Sequence, residues 1–180
     1  AQHNEYGRQM IEGKSRSVIA GSTPIHGDKL VFRYDDGSGN YDAMWTRDLC
    51  YMVEGAAALL DPTEVLAAID YLLAAQRKDG AVPDRRKADG TAIYLDGPVD
   101  NPLGDAWPAD NPQVIVKAMA GYVRSSGYII AFIARRNALY RAMESVPLSH
   151  DGLVHIDPNR PHAGYGFTDC VAKTGNDLFC

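Results

Sequence analysis

The segment YDAMWTRDLCYMVEGAAALL (residues 41–60) places Trp-Thr-Arg-Asp directly in front of an apolar helical run, and its reading decides the fold. A helix needs no such preface to form, so the four residues ask for a role of their own. The pattern predicts a helix over about 46–60. Asp61-Pro62-Thr63-Glu64 then restarts the chain with an N-cap residue, a proline at the first helical position and an acid at the third. The next helix therefore begins at once, and Val65, Leu66, Ile69, Leu72 and Leu73 keep one of its faces apolar as far as Gln76.

Upstream, residues 4–20 read as a first helix with Tyr6, Met10, Ile11, Val18 and Ile19 on its apolar side, weakened by Gly7 and Gly13. KLVFRY (29–34) reads as a strand and DDGSGN (35–40) as a tight turn. A second strand piece would run into Tyr41 and Ala43, giving a small β-hairpin near 29–44. The acids of 35–42 lack the D-x-D-x-D-G spacing and the closing bidentate acid of a calcium loop.

Downstream, 77–109 reads as loop with a short strand at Ala92–Leu95. Asn111-Pro112 repeats the helix-start signal, and Val114, Ile115, Ala118, Met119 and Tyr122 stripe a fourth helix that ends at Ser125-Ser126-Gly127. A fifth helix over about 127–145 carries Ile130, Ile133, Leu139, Tyr140 and Met143 and is closed by Pro147. A loop over 148–167 leads to a sixth helix, expected from near Asp169 to Cys180.

The chain also echoes itself. KDGAVPD (78–84) and HDGLVHID (150–157) put the same D-G-x-V turn 72 positions apart, each after a helix. The polar helix starts at Asp48, Asp110 and Asp169 are separated by 62 and 59 positions, one helical hairpin plus a loop each time. Three such starts imply three stacked hairpins in one all-α domain over 1–180. If the helices that follow them share an inner layer, the three motifs converge on one mouth, where a polar ligand would sit.

Composition narrows the function. With 46% hydrophobic and 23% charged residues the chain is globular in character, and a net charge of −5 lacks the basic excess that nucleic acid demands. No apolar run approaches the roughly 20 residues of a membrane span, so no membrane partner is expected. The three cysteines, Cys50, Cys170 and Cys180, are odd in number and outside CxxC spacing, which favours free thiols and a reducing, cytoplasmic setting over a disulfide scaffold. The five histidines never fall at HExxH spacing, and neither a metal nor another cofactor is expected.

Trp45-Thr46-Arg47-Asp48 combines a flat apolar ring, a five-donor cation and an acceptor-only carboxylate. Such a set can hold a pyranose, with the ring stacked on a sugar face and Arg47 and Asp48 forked onto vicinal hydroxyls. The same residues also fit a plain structural account: Trp45 in the core, Asp48 as a helix cap and Arg47 in solvent. Asp110 and Asn111 carry the same two readings, as caps and as sugar ligands.

On these residues the segment closely resembles the W-T-R-D run of glucoamylases and related six-hairpin glycosidases. QRKDGAVPD (76–84) is similar to the Q-x-x-D-G-x-x-P turn of the same group, with weaker likeness in WPADNPQ (107–113) and HAGYGFTDCVAKTG (162–175). The resemblance implies an (α/α)6 toroid, of which this chain would supply about half. It implies an exo-acting, inverting glycoside hydrolase in which Arg47 and Asp48 grip the terminal sugar and Trp45 shapes the pocket. The proton donor would fall on Asp169, after Phe167, where the glucoamylase pattern carries glutamate; other six-hairpin families use aspartate there. Tyr165 and Phe167 would exclude water from it and raise its pKa.

Three hairpins exhaust the chain, so the second carboxylate of a hydrolase, the general base, is expected on an absent C-terminal half. The partners expected are an oligosaccharide or small glycoside, and either a second copy or that missing half. A carbohydrate-binding fragment without turnover and a helical interaction module are the alternatives.

Overall fold

The computed structural model describes residues 2–22, 25–26, 29–30, 42–163 and 171–177. Its core is made by two helical hairpins, each started and stopped where the sequence signals. The first helix, α1 (Gln2–Ser22), precedes a short antiparallel pair, β1 (Ile25–His26) with β2 (Lys29–Leu30). Strand β3 (Ala43–Trp45) then runs directly into α2 (Thr46–Ala56), which tightens to a 3₁₀ turn (Ala57–Leu59) before α3 (Pro62–Leu73). Asp61 caps α3, its Oδ1 accepting the Thr63 N–H at 2.7 Å, with Pro62 at the position where a missing N–H costs nothing.

After α3 come β4 (Arg85–Lys87) and β5 (Ala92–Ile93), then the second hairpin, α4 (Asn111–Ser126) and α5 (Ile129–Glu144). Gly127 closes α4 in the left-handed conformation, φ +72°, and its N–H reaches the Val123 carbonyl at 2.8 Å. Helices α2 and α4 lie side by side with their N-termini at the same end. Their packing needs Gly121, because a Cβ there would stand 2.7 Å from Val53 Cγ1. Helix α3 is tied to α5 by the Asp70–Arg135 pair, while Gln76 Nε2 donates to the Ala138 carbonyl at 2.9 Å. The buried stripe of α2 (Leu49, Cys50, Val53) meets that of α4 (Ile115, Ala118, Met119) in this core.

The remaining strands are β6 (Val154–Ile156), β7 (His162–Ala163), β8 (Ala172–Lys173) and β9 (Gly175–Asp177). β6 pairs with β9 and β7 with β8, both antiparallel. The molecule is thus mostly helical with a small three-stranded antiparallel sheet, ordered β3-β4-β5. Among the described residues, no helix is long and apolar enough to cross a membrane.

The internal echo is structural. In the first copy the Arg77 N–H donates to the Ala81 carbonyl and the Gly80 N–H to the Arg77 carbonyl. In the second, Ser149 donates to Leu153 and Gly152 to Ser149. Both glycines are left-handed, φ +90° and +77°, and the valine two positions on is buried in each copy.

Four expectations are corrected. The described ends of the β-hairpin expected near 29–44 pair elsewhere: Lys29–Leu30 folds back on β1, and β3 pairs with β4 across the α2–α3 hairpin; residues 31–41, with the turn at 35–40, lie outside the described residues. The loops expected at 77–109 and 148–167 contain β4 and β6; β4 pairs locally with β5, at the short strand expected near Ala92, but also with the distant β3, and β6 pairs with the distant β9, so no local alternation announces them. The sixth helix is absent from 171–177, where Gly175 at φ +85° breaks any helical run and the chain pairs as β8 and β9; Asp169, Cys170 and 178–180 lie outside the described residues. Finally, α5 buries its small face, Ala131, Leu139 and Ala142, while Ile130, Ile133, Tyr140 and Met143 are exposed. Gly80 and Ser145 fit closely against each other there, which favours small residues on that side.

Candidate functional site

The segment that follows α3 holds the start of α2. Trp45 is the N-cap residue, extended at φ −86° and ψ 134°, and its side chain makes no capping bond. The capping partners come instead from 83–84: the Thr46 N–H donates to the Asp84 carbonyl at 2.9 Å and Thr46 Oγ1 to the Pro83 carbonyl at 2.6 Å. This clamp sets Arg47 on the first turn of α2, pointing at the first turn of α4.

There Arg47 Nε donates to Asp110 Oδ2 at 2.8 Å and its NH2 group to Asp110 Oδ1 at 3.2 Å, a forked pair with both side chains buried. Asp110 is the N-cap residue of α4 but makes no side-chain capping bond. Its carboxylate serves Arg47, and its backbone carbonyl receives Gln113 and Val114. Asp96 Oδ2 stands 3.7 Å from the same guanidinium. Arg85 donates to Asp84 Oδ2 and to the Gly97 carbonyl, both at 2.7 Å, and lies over the Trp45 ring at 5.6 Å.

Burial pushes the Asp84 carboxyl up to about 7, with the Asp96 charge adding to it and Arg85 and Arg47 opposing. Burial also pushes Asp110 above the ordinary carboxylate range, against the charge and hydrogen bonds of Arg47. For Arg47, burial works against the cation but is outweighed by Asp110, Asp84 and Asp96, which together raise its pKa.

Several buried atoms of this region have no hydrogen-bond partner: Asp84 Oδ1, Asp96 Oδ2, and both amide atoms of Asn111, which is fully buried. Each such atom costs on the order of 1–3 kcal/mol if nothing satisfies it. Of these residues Asp96 lines a cleft of about 420 Å³, bounded also by Asp42, Trp45, Arg85, Lys87 and Gly97, the size of a small-ligand pocket.

Of the residues singled out from sequence, Trp45, Arg47, Asp110 and Asn111 therefore stand at the joint start of α2 and α4. Asp48 does not join them. It lines a separate, largely apolar groove against α1 with Ile11, Lys14, Tyr51 and Met52, because consecutive helical residues point about 100° apart. Arg47 takes its carboxylate from Asp110. Asp169, Tyr165 and Phe167 lie outside the described residues. Asp84, Arg85 and Asp96 were not foreseen as site residues, although Asp84 ends the KDGAVPD echo and a buried acid after a proline was the available signal.

A second polar cleft, about 310 Å³, is bounded by Trp107, His155, Asp157, Arg160 and His162. The Trp107 and His162 rings are 5.8 Å apart, and Arg77 lies 5.0 Å over Trp107. Burial, helped by the Arg160 charge, lowers the His162 pKa. Among the described residues no group of three or more His, Cys, Asp or Glu is placed to hold a metal ion. No protein-family model, curated protein or solved structure matches the chain.

Proposed function

We propose that the cleft beside Trp45 is a sugar site and that the chain is part of an exo-acting glycoside hydrolase. The observation that supports it is a cleft walled by an indole ring and by Asp96, whose buried Oδ2 has no hydrogen-bond partner, with further unsatisfied buried atoms on Asp84 and Asn111 at the same helix starts. A ligand suited to both must present several hydroxyls and an apolar face, as a pyranose does. Trp45 would stack on the ring, Asp96 would accept from hydroxyls, and the Arg47–Asp110 pair would hold the floor in register.

Hydrolysis further requires an acid that protonates the glycosidic oxygen and a carboxylate that activates water, about 6.5–9.5 Å apart in an inverting enzyme. Asp169 is proposed as the acid, on the resemblance of GFTD to the third helix start; the base would come from a further segment or a second copy. The reading is tested by monosaccharide release from a panel of α-linked oligosaccharides. Release that is lost in Asp169→Asn and weakened in Trp45→Ala is expected. Sugar binding without release would instead assign the chain to carbohydrate binding, and absence of both would refute the sugar site.

A further inference from the structure

We propose that Asp84 and Asp96 form a cation subsite at the back of the Trp45 cleft, and that the ligand is an amino sugar, a hydroxylated ring carrying a protonated amine. The ring rests on the carbohydrate reading above; the amine rests on charge and hydrogen-bond arithmetic of its own.

Among the described residues, three carboxylates, Asp84, Asp96 and Asp110, face two guanidiniums, Arg47 and Arg85, and the other charges on the cleft, Lys87 and Asp42, pair with each other at 2.9 Å, so these fully ionised groups carry one uncompensated negative charge. The guanidinium donors are turned to acceptors that the fold supplies. Arg47 forks onto Asp110, and Arg85 is held by Asp84 Oδ2, the Leu95 carbonyl and the Gly97 carbonyl. What is left over is purely accepting: Asp84 Oδ1 and Asp96 Oδ2, both shielded from solvent and without a hydrogen-bond partner, Asp96 Oδ2 having only the Arg47 charge at 3.7 Å.

A carboxylate oxygen can be satisfied only by a donor. A hydroxyl offers one donor and leaves the charge imbalance in place. An ammonium offers three donors and cancels it, and in a site of low dielectric the cancellation weighs heavily. A carboxylate or phosphate on the ring would deepen the imbalance and is excluded on the same ground. Access is through Asp96 and Arg85, which bound the cleft while keeping only 13% and 9% of their side chains exposed.

Without a ligand, a proton takes the place of the amine. Asp84 is 1% exposed and faces Asp96, Arg85 and Arg47; its carboxyl titrates near neutrality because burial and the Asp96 charge resist ionisation. An ammonium entering the subsite releases that proton to solvent, so amine binding strengthens as pH rises.

The test is calorimetric titration with 6-amino-6-deoxyglucose, glucose, glucuronate and methylammonium at pH 6 and pH 8, in buffers of different ionisation heat. The amino sugar is expected to bind more tightly than glucose and to gain about tenfold between the two pH values, following Asp84 ionisation across a pKa of about 7. Close to one proton should be released on binding at pH 6 and only about a tenth of one at pH 8, and glucuronate should not bind. Asp84→Asn should abolish the pH dependence and the preference for the amine, and the more exposed Asp96→Asn should weaken that preference. Equal, pH-independent binding of glucose and the amino sugar would overturn the subsite and leave the sugar site standing. Methylammonium binding with proton release but no sugar binding would do the reverse, and no binding by any probe would overturn the subsite.

Discussion

Arg47 and Asp110 lie 63 positions apart and form a forked, buried ion pair that joins the first turn of α2 to the first turn of α4. A guanidinium in this position has been taken out of water, and its retained partner is what makes that tolerable.

Removing one partner should therefore cost far more than the pair itself contributes. Asp110→Ala is expected to lower unfolding stability by about 3–5 kcal/mol in urea titration, whereas Arg47→Met with Asp110→Leu should recover most of that loss. A loss below about 1 kcal/mol in the single variant would show that Asp84 or Asp96 takes over the guanidinium.

The two D-G-x-V turns share backbone bonds and left-handed glycines but differ in surroundings. A Cβ on Gly80 would meet the Arg141 carbonyl at 2.1 Å and Ser145 Cβ at 2.9 Å, whereas nothing lies within 4 Å of one on Gly152. Gly152→Ala should cost about 1 kcal/mol, from backbone conformation alone. Gly80→Ala should cost at least 1–3 kcal/mol more, because α5 must also move. Equal melting shifts for the two variants would contradict the close approach.

These turns mark where the sequence was legible and where it was not. Helix starts at Asp61-Pro62 and Asn111-Pro112, the stop at Gly127 and the 72-residue echo are local signals, set by caps and glycine conformations, and they appear where expected. The pairing of 85–87 with β3 spans 40 to 44 positions and that of 154–156 with β9 spans 19 to 23, so nothing within either strand fixes it. The site divides the same way. The polar start at 45–48 stands out in the sequence, but Arg47 and Asp48, expected to grip one ligand together, face different clefts, because adjacent residues on a helix point about 100° apart. Asp96 sits in a loop with no pattern at all, and only the folded chain brings it to Arg47.

The contact between α2 and α4 gives a further prediction. Gly121→Ala would place its methyl 2.7 Å from Val53 Cγ1, so it should destabilise by about 1–3 kcal/mol despite the better helix propensity of alanine. Val53→Ala costs stability alone by leaving a cavity, but combined with Gly121→Ala it should cost less than the sum of the two. A double-mutant cycle that closes to zero would mean that the helices do not touch there.

The buried acids should also make stability fall as pH rises, the reverse of the usual carboxylate effect. Asp84 is raised from 3.8 to about 7 in the folded chain, so between those values the folded state keeps a proton that the unfolded state has lost. Its contribution is complete below the unfolded pKa and is lost as pH climbs through about 7, with a slope of about 1.4 kcal/mol per pH unit for one proton. Asp110, also raised, acts in the same sense. His162 is lowered and opposes them, because its contribution is lost as pH falls below its ordinary value of 6.5. Wild-type stability alone therefore mixes the three, and Asp84→Asn separates them. Measured by urea unfolding from pH 4 to pH 8, the stability of the variant relative to wild type should rise with pH and level off above about 7. A difference that stays flat across this range would show that Asp84 is ionised throughout and that its burial does not hold a proton in the folded chain.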